Sequence, residues 1–212
     1  MYYKTEKNNH NLPHDPFKAL VSPRPIGWIG TRNKLGINNL APYSYFNAIS
    51  DKPYFVMFAS TGFKDSIKNI EETKVFTCSL ATKDLFNKMN YSSASTKYGD
   101  DEFELSGLTP KDGKLVNAPY VDESPAALEC ELWKVIDLPG SDRSSLSGSY
   151  VVFGHVKGIY IDDKYIKDGL FDTRKARPLG RLGYMDYGII NDDNIFSQKR
   201  PQVDKDGNII KD

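Results

Sequence analysis

Short apolar and alternating runs, separated by turn residues, dominate the chain up to about residue 190. The run Tyr54–Ser60 is almost continuously apolar and predicts a buried strand. Ile26 to Ile29 and Asn39–Ile49 predict two further strands, joined by a hairpin turn at Asn33–Gly36. Three more segments alternate apolar and polar positions, which is typical of strands with one buried face: Lys74–Ala81, Ala127–Ile136 and Ser149–Ile161.

Helical patterns are few and short. Ser66–Thr73 and Thr82–Met89 each place apolar residues on one helical face, whereas the turn-rich stretch 90–126 predicts strand or turn fragments around Phe103–Leu108. A further short strand is predicted at Tyr165–Phe171. Because no alternation of strands and helices is visible, we expect a mainly β antiparallel barrel or sandwich. The prediction is one domain, 1–212, with its core at about 20–190, an N-terminal arm 1–19 and a polar tail 191–212.

Composition narrows the function classes. The 212 residues include 28 basic and 28 acidic side chains, so no charge excess favours nucleic acid or an anionic membrane surface. No apolar run approaches the ~18 residues of a membrane span, and the N-terminus lacks the apolar region of a secretion signal. We therefore expect a cytoplasmic protein without membrane or nucleic-acid partners. Cys78 and Cys130 lie in apolar alternating runs and are predicted to be buried core thiols.

One candidate binding feature is a turn between a buried strand and a short helix. The helix is predicted to begin at about Asp65 or Ser66, where unpaired N–H groups and the helix dipole favour an anion. Lys64 adds a positive charge, and Ser60, Thr61 and Ser66 add hydroxyl donors. This combination suits a phosphate group. The alternative is an ordinary surface helix capped by Asp65 or Ser66.

The second candidate feature is the strand that contains Ala41-Pro-Tyr-Ser-Tyr-Phe-Asn47. Pro42 within a strand indicates a sheet edge or a bulge, where backbone groups are free to face a ligand. The alternative is that its aromatic residues only fill the core and surface. The sequence offers no metal-ligand cluster, no dinucleotide fingerprint and no evident acid/base pair, so no catalytic residue is predicted.

Several motifs together carry a resemblance to a known family. They are Arg24-Pro-Ile-Gly-Trp-Ile-Gly-Thr31, Asn39-Leu-Ala-Pro-Tyr-Ser-Tyr-Phe-Asn47, Lys64-Asp-Ser-Ile-Lys-Asn-Ile70, Phe103-Glu-Leu-Ser-Gly-Leu-Thr109 and Arg181-Leu-Gly-Tyr-Met-Asp-Tyr187. In this order, over about residues 20 to 201, they resemble the flavin reductase-like, FMN-binding split-barrel family. The resemblance implies a Greek-key split β-barrel with a few short helices, forming a homodimer with FMN near the subunit interface.

The resemblance also implies which residues hold the cofactor. The Asn39–Asn47 strand would follow the flavin ring, the Ser60–Ser66 turn would lie toward the phosphate or ribityl chain, and Arg181 and Tyr184 would lie near the cofactor or the nicotinamide. The predicted FMN-binding residues are Ala41, Pro42, Tyr43, Ser44, Asn47, Ser60, Thr61, Lys64, Asp65, Ser66, Arg181 and Tyr184.

A flavin site accounts for the missing acid/base pair, because the cofactor carries the chemistry. The predicted function is therefore an NAD(P)H-dependent flavin reductase-like oxidoreductase that passes hydride through FMN to a small-molecule or protein acceptor. Two alternatives stay open at the sequence level. One is an FMN electron-transfer protein reduced by a protein partner, and the other is a non-enzymatic barrel that binds without a cofactor.

Overall fold

A seven-stranded antiparallel sheet forms the centre of the computed structural model, which describes residues 1–210. The last two residues of the predicted tail, 211 and 212, lie outside the described residues. The strands are β1 (Arg24–Pro25), β2 (Gly27–Arg32), β3 (Asn38–Tyr43), β4 (Phe46–Asp51), β5 (Tyr54–Thr61), β6 (Val75–Leu80), β7 (Pro110–Asp112), β8 (Pro119–Val121), β9 (Ala126–Asp137), β10 (Ser149–Ile161), β11 (Ile166–Lys167), β12 (Leu170–Phe171), β13 (Leu179–Arg181), β14 (Tyr187–Ile189), β15 (Gln202–Val203) and β16 (Ile209–Ile210).

The order of the large sheet is β3-β2-β6-β9-β10-β5-β4, so the consecutive strands β3 and β4 lie at its opposite edges. The chain passes from one edge to the other through a bend at Ser44 and Tyr45. The Ala59 amide donates to the Tyr45 carbonyl oxygen at 2.8 Å and so holds this bend against β5. The sequence-based prediction of one continuous strand over Asn39–Ile49 was therefore wrong, because the two ends of that segment pair with different strands.

β2 is buried on both faces and lies between two hydrophobic clusters. Ile29 packs into a cluster with Phe58, Phe76 and residues of β9 and β10, whereas Trp28 packs into a second cluster with Phe103 and Met89. Both cysteines are free thiols in the first cluster, which confirms the prediction that they are core residues. The predicted β-rich architecture, with long strands near Ala127–Ile136 and Ser149–Ile161, is likewise confirmed.

The helices are short: α1 (Phe17–Leu20), α2 (Asp65–Thr73), α3 (Phe86–Tyr91), α4 (Glu102–Ser106) and α5 (Thr173–Ala176). Helix α4 stands where strand or turn fragments were expected. Asp101 caps it by accepting a hydrogen bond from the Phe103 amide at 2.9 Å, and Gly107 ends it in the left-handed region with φ 65°. The strand expected at Tyr165–Phe171 is instead a short turn followed by the two-residue strands of a hairpin.

Candidate functional site

A cavity of about 440 Å³ opens where β3 and β5 end, beside the first turn of α2. A second wall is formed by the segment Ser92–Thr96, together with Glu102 from α4. Eight of the predicted cofactor-binding residues line it, and they come from both candidate features: Ala41, Pro42, Tyr43, Ser44, Thr61, Lys64, Asp65 and Ser66. The fold therefore brings the aromatic strand and the turn before α2 into one site.

Four predicted residues do not line this cavity. Ser60 is buried directly beside it, and its hydroxyl donates to the Gly62 carbonyl oxygen at 2.9 Å, which fixes the turn before α2. Asn47 is exposed on β4 and lies opposite Met57 in the sheet. Arg181 and Tyr184 lie together in the β13–β14 hairpin, where the Arg181 guanidinium donates to the Tyr184 carbonyl oxygen at 2.6 Å.

The N-terminus of α2 faces the cavity without a side-chain cap. Lys64 occupies the N-cap position in an extended conformation, and no side chain there accepts a hydrogen bond from the helix amides. The alternative of a helix capped by Asp65 or Ser66 was wrong. Asp65 is the first helical residue, and the Ser66 hydroxyl accepts a hydrogen bond from the Asn39 side-chain amide at 3.0 Å. An uncapped helix start with an adjacent lysine favours an anion.

Tyr43 lines the cavity and carries a buried hydroxyl. This hydroxyl forms no hydrogen bond of normal geometry within residues 1–210, although the hydroxyls of Ser66 and Ser60 lie close enough to oppose the rise in its pKa. Burial raises the pKa of Tyr43 above its usual value, so the phenol stays protonated at neutral pH. An unsatisfied hydroxyl of this kind is destabilising unless a ligand supplies its partner.

Two carboxylates also line the cavity. Burial raises the pKa of Asp65 and, separately, the pKa of Glu102. Glu102 accepts hydrogen bonds from the Leu40 amide at 2.9 Å and from the Thr96 hydroxyl at 3.0 Å. These bonds give Glu102 a structural role at the cavity wall.

This second wall was not predicted from the sequence. The hydroxyl-rich run Ser92-Ser-Ala-Ser-Thr96 was the available signal, but it lies in a stretch that reads as turns. The place of Glu102 at the cavity could not be predicted, because its helix was not predicted and a single glutamate forms no sequence motif.

The chemistry of the cavity is that of a binding site. It offers hydroxyl and amide donors, an anion-favouring helix start and aromatic side chains. Across residues 1–210, no three His, Cys, Asp or Glu side chains are grouped so that they could hold a metal ion. In the same part of the chain, every helix is too short or too polar to cross a membrane. Because of its donors, its helix start and its aromatic side chains, the cavity suits a planar ligand with a negatively charged end.

Comparisons with known proteins agree with this architecture. An uncharacterised protein of Aquifex aeolicus is 36% identical over 171 residues, covering 78% of this chain and 83% of that protein. Nitrilotriacetate monooxygenase component B from Bacillus cereus superposes with a TM-score of 0.82 at 23% identity, covering 93% of this chain and 98% of that one.

Two further solved structures share the fold. A Shewanella frigidimarina protein assigned as a flavin reductase with a split barrel domain has a TM-score of 0.79 at 21% identity, covering 96% of this chain and all of that one (100%). An FMN-binding protein from Thermus thermophilus has a TM-score of 0.72 at 15% identity, covering 93% of this chain and 99% of that one. The predicted split β-barrel is thereby confirmed.

Residues 20–180 match the family described as the flavin reductase like domain, which confirms the resemblance carried by the motifs. The match includes every segment that lines the cavity, from β3 through α2 to α4. The chain therefore belongs to the flavin reductase-like domain family.

Proposed function

We propose that this protein is an FMN-dependent oxidoreductase that takes hydride from NAD(P)H and passes the electrons to an acceptor. Family membership supports a flavin reductase-type oxidoreductase. One observation supports FMN as the ligand: the uncapped N-terminus of α2 and Tyr43, whose buried hydroxyl is unpartnered, belong to one cavity. The name of the Thermus thermophilus structural relative adds support for the same cofactor.

The residues present fit this cofactor. Lys64, the first amides of α2 and the hydroxyls of Thr61 and Ser66 would hold the phosphate end. Ala41 to Ser44 would follow the ring system, with the Tyr43 hydroxyl gaining a polar partner. Bound FMN would supply hydride and electron transfer, and the chain's residues would bind it, orient it and exclude water. Asp65 would orient Lys64, since its own charge opposes an anion.

The assembly is part of the proposal. The family resemblance implies a homodimer with the cofactor near its interface, so we propose that Asn47, Arg181 and Tyr184 act at a site completed by a second copy. The exposed Trp133 ring on the sheet, which packs on the half-buried rings of Phe55 and Phe153, supports such an interface. A molecular mass from sedimentation equilibrium of twice the chain mass would support the dimer, and a monomer at micromolar concentration would contradict it.

We also propose that residues 1–212 form a single domain and that the protein is cytoplasmic.

The experiment that tests the function is an absorbance spectrum followed by anaerobic reduction. Protein mixed with FMN and desalted should retain a yellow flavin spectrum, and NADH or NADPH should then bleach it. Absence of retained flavin would remove the FMN proposal. Retained flavin that neither nicotinamide bleaches, but that dithionite does, would replace the reductase with an electron-transfer protein reduced by a protein partner.

Tyr43→Phe is expected to stabilise the ligand-free protein slightly while weakening FMN binding. Removing an unsatisfied buried hydroxyl relieves a desolvation penalty of about 1 kcal/mol, while the ligand loses one hydrogen bond. Thermal unfolding without FMN should therefore occur at the wild-type temperature or above it, and the Kd for FMN should rise about fivefold to tenfold.

Tyr150→Phe is the matched control for Tyr43→Phe. Tyr150 is buried in the same hydrophobic cluster, but its hydroxyl donates to the Ser147 carbonyl oxygen at 2.8 Å. Its removal should therefore lower stability by about 1 kcal/mol and leave FMN affinity unchanged. Equal loss of stability in both variants would show that the Tyr43 hydroxyl is satisfied within the protein.

A further inference from the structure

We infer that Glu102 and Thr96 position the segment Ser92–Thr96 as a ligand-contacting wall, and that Ser95 on it binds the polar phosphate and polyol end of the ligand. This inference rests on the proposed function, because it concerns the same cavity. It extends that function to a segment that lies outside every motif of the family resemblance.

A single buried carboxylate joins the two walls of the cavity. Glu102 is only 6% exposed, and one of its oxygens accepts from the Leu40 amide of β3 at 2.9 Å. Its other oxygen accepts from the Thr96 hydroxyl at 3.0 Å. Hydrogen bonds to a charged acceptor are about twice as strong as neutral ones, so this bridge holds Thr96 close to β3.

The other end of the segment is anchored in the core. Ser92 is 2% exposed, and its hydroxyl accepts from the Trp28 indole N–H at 2.9 Å while donating to the Met89 carbonyl oxygen at 2.8 Å. The segment is therefore held at Ser92 by β2 and α3, and at Thr96 by Glu102. Its central residues lie between two fixed points along the cavity.

Ser95 is exposed between these anchors, and its two donors have no protein partner within residues 1–210. The Ser93 hydroxyl donates to the Asn90 carbonyl oxygen at 2.6 Å, whereas the hydroxyl and the amide of Ser95 form no hydrogen bond within residues 1–210. Ser95 lines the same cavity as Lys64 and Ser66 at the start of α2. Two free donors in the same cavity as an anion-favouring helix start suit a ligand that carries a phosphate on a hydroxylated chain.

The test compares Thr96→Val, Thr96→Ser and Ser95→Ala with the wild type. Two readouts are used: the Kd for FMN from quenching of flavin fluorescence, and hydrogen exchange of the amides of residues 92–96 in ligand-free protein. Thr96→Val keeps the side-chain shape but removes the donor to Glu102. We expect it to raise the Kd about tenfold and to accelerate exchange in the segment at least fivefold, and Thr96→Ser should restore both.

Ser95→Ala separates contact from positioning. It should raise the Kd about threefold while leaving exchange in the segment and the thermal unfolding temperature unchanged. Thr109→Val is the matched control, because the Thr109 hydroxyl also donates to a glutamate, Glu123, at 3.2 Å, but outside the cavity. It should leave both the FMN affinity and exchange in residues 92–96 as in the wild type.

The outcomes separate this inference from the proposed function. If wild-type protein binds no FMN, the proposed function and the Ser95 contact fail together, and the exchange measurement still decides the positioning role. If the wild type binds FMN but Thr96→Val matches it in affinity and in exchange, the proposed function stands and the inference is overturned. An unchanged Kd for Ser95→Ala would overturn the contact alone.

Discussion

Gly30→Ala is expected to lower the free energy of unfolding by more than about 3 kcal/mol, because it overpacks a site closed by backbone. A Cβ at Gly30 would lie 2.1 Å from the Pro119 carbonyl oxygen and 2.6 Å from the Thr77 hydroxyl oxygen. The Thr77 hydroxyl already donates to that same carbonyl oxygen at 2.5 Å. Rotation of the Thr77 side chain could relieve only the second contact, so relief of the first requires β2 and β8 to separate.

Gly188→Ala is the control for this prediction. Gly188 also lies in a strand, but a Cβ there would find its nearest neighbour, a Leu182 side-chain carbon, at 3.7 Å, an ordinary contact. Its expected change is below about 1 kcal/mol, within the range for substitutions that meet no special feature. Urea unfolding followed by circular dichroism measures both variants. Equal stability of the two would show that β8 gives way at Gly30 without penalty.

The second large effect is expected from Lys64→Glu, which should weaken FMN binding about thirtyfold and leave riboflavin binding unchanged. Lys64 is exposed at the cavity beside the open start of α2. Reversing its charge replaces an attraction for the phosphate with a repulsion, each about 1 kcal/mol at a solvated site. Riboflavin lacks the phosphate and should not sense the change. Fluorescence titrations with both ligands, at low and high salt, measure the effect.

Lys34→Glu controls for the change in net charge. Lys34 lies exposed at the turn between β2 and β3, outside the residues that line the cavity. Its substitution should alter the FMN affinity by less than about twofold, because salt screens distant surface charges. Equal weakening by both variants, or equal weakening of FMN and riboflavin by Lys64→Glu, would contradict a phosphate seat at α2.

The alternation of apolar and polar residues predicted the long strands well, because the neighbours of each strand bury one of its faces more than the other. The segment Ser149–Ile161 was predicted with the bounds that β10 has, since its inward and outward residues follow the pleat. The break between β3 and β4 could not be predicted in the same way. Tyr43 and Phe46 are both apolar enough for one strand, and only tertiary pairing shows that they belong to opposite sheet edges.

The site was half predictable for a related reason. Residues 41 to 44 and 61 to 66 carry local signals, a proline in a strand and a glycine turn before a helix, and the structure joins them. The second wall is built from Thr96 and Glu102, whose hydrogen bond depends on a helix capped by Asp101. Hydrogen bonds between a turn and a separate helix leave no periodic trace in the sequence, so this wall required the structure.

The strand order of the large sheet has a consequence for synthesis on the ribosome, because β5 lies between β4 and β10. β5 pairs with β10 from Thr61 opposite Ser149 to Phe55 opposite His155, so this neighbour is made much later than β5 itself. Until Ser149–Ile161 emerges, one hydrogen-bonding edge of an apolar strand has no partner. Closing such distant pairs is slow and leaves chains prone to aggregation. We therefore expect the yield of folded protein to depend on growth temperature and on chaperones that shield β5.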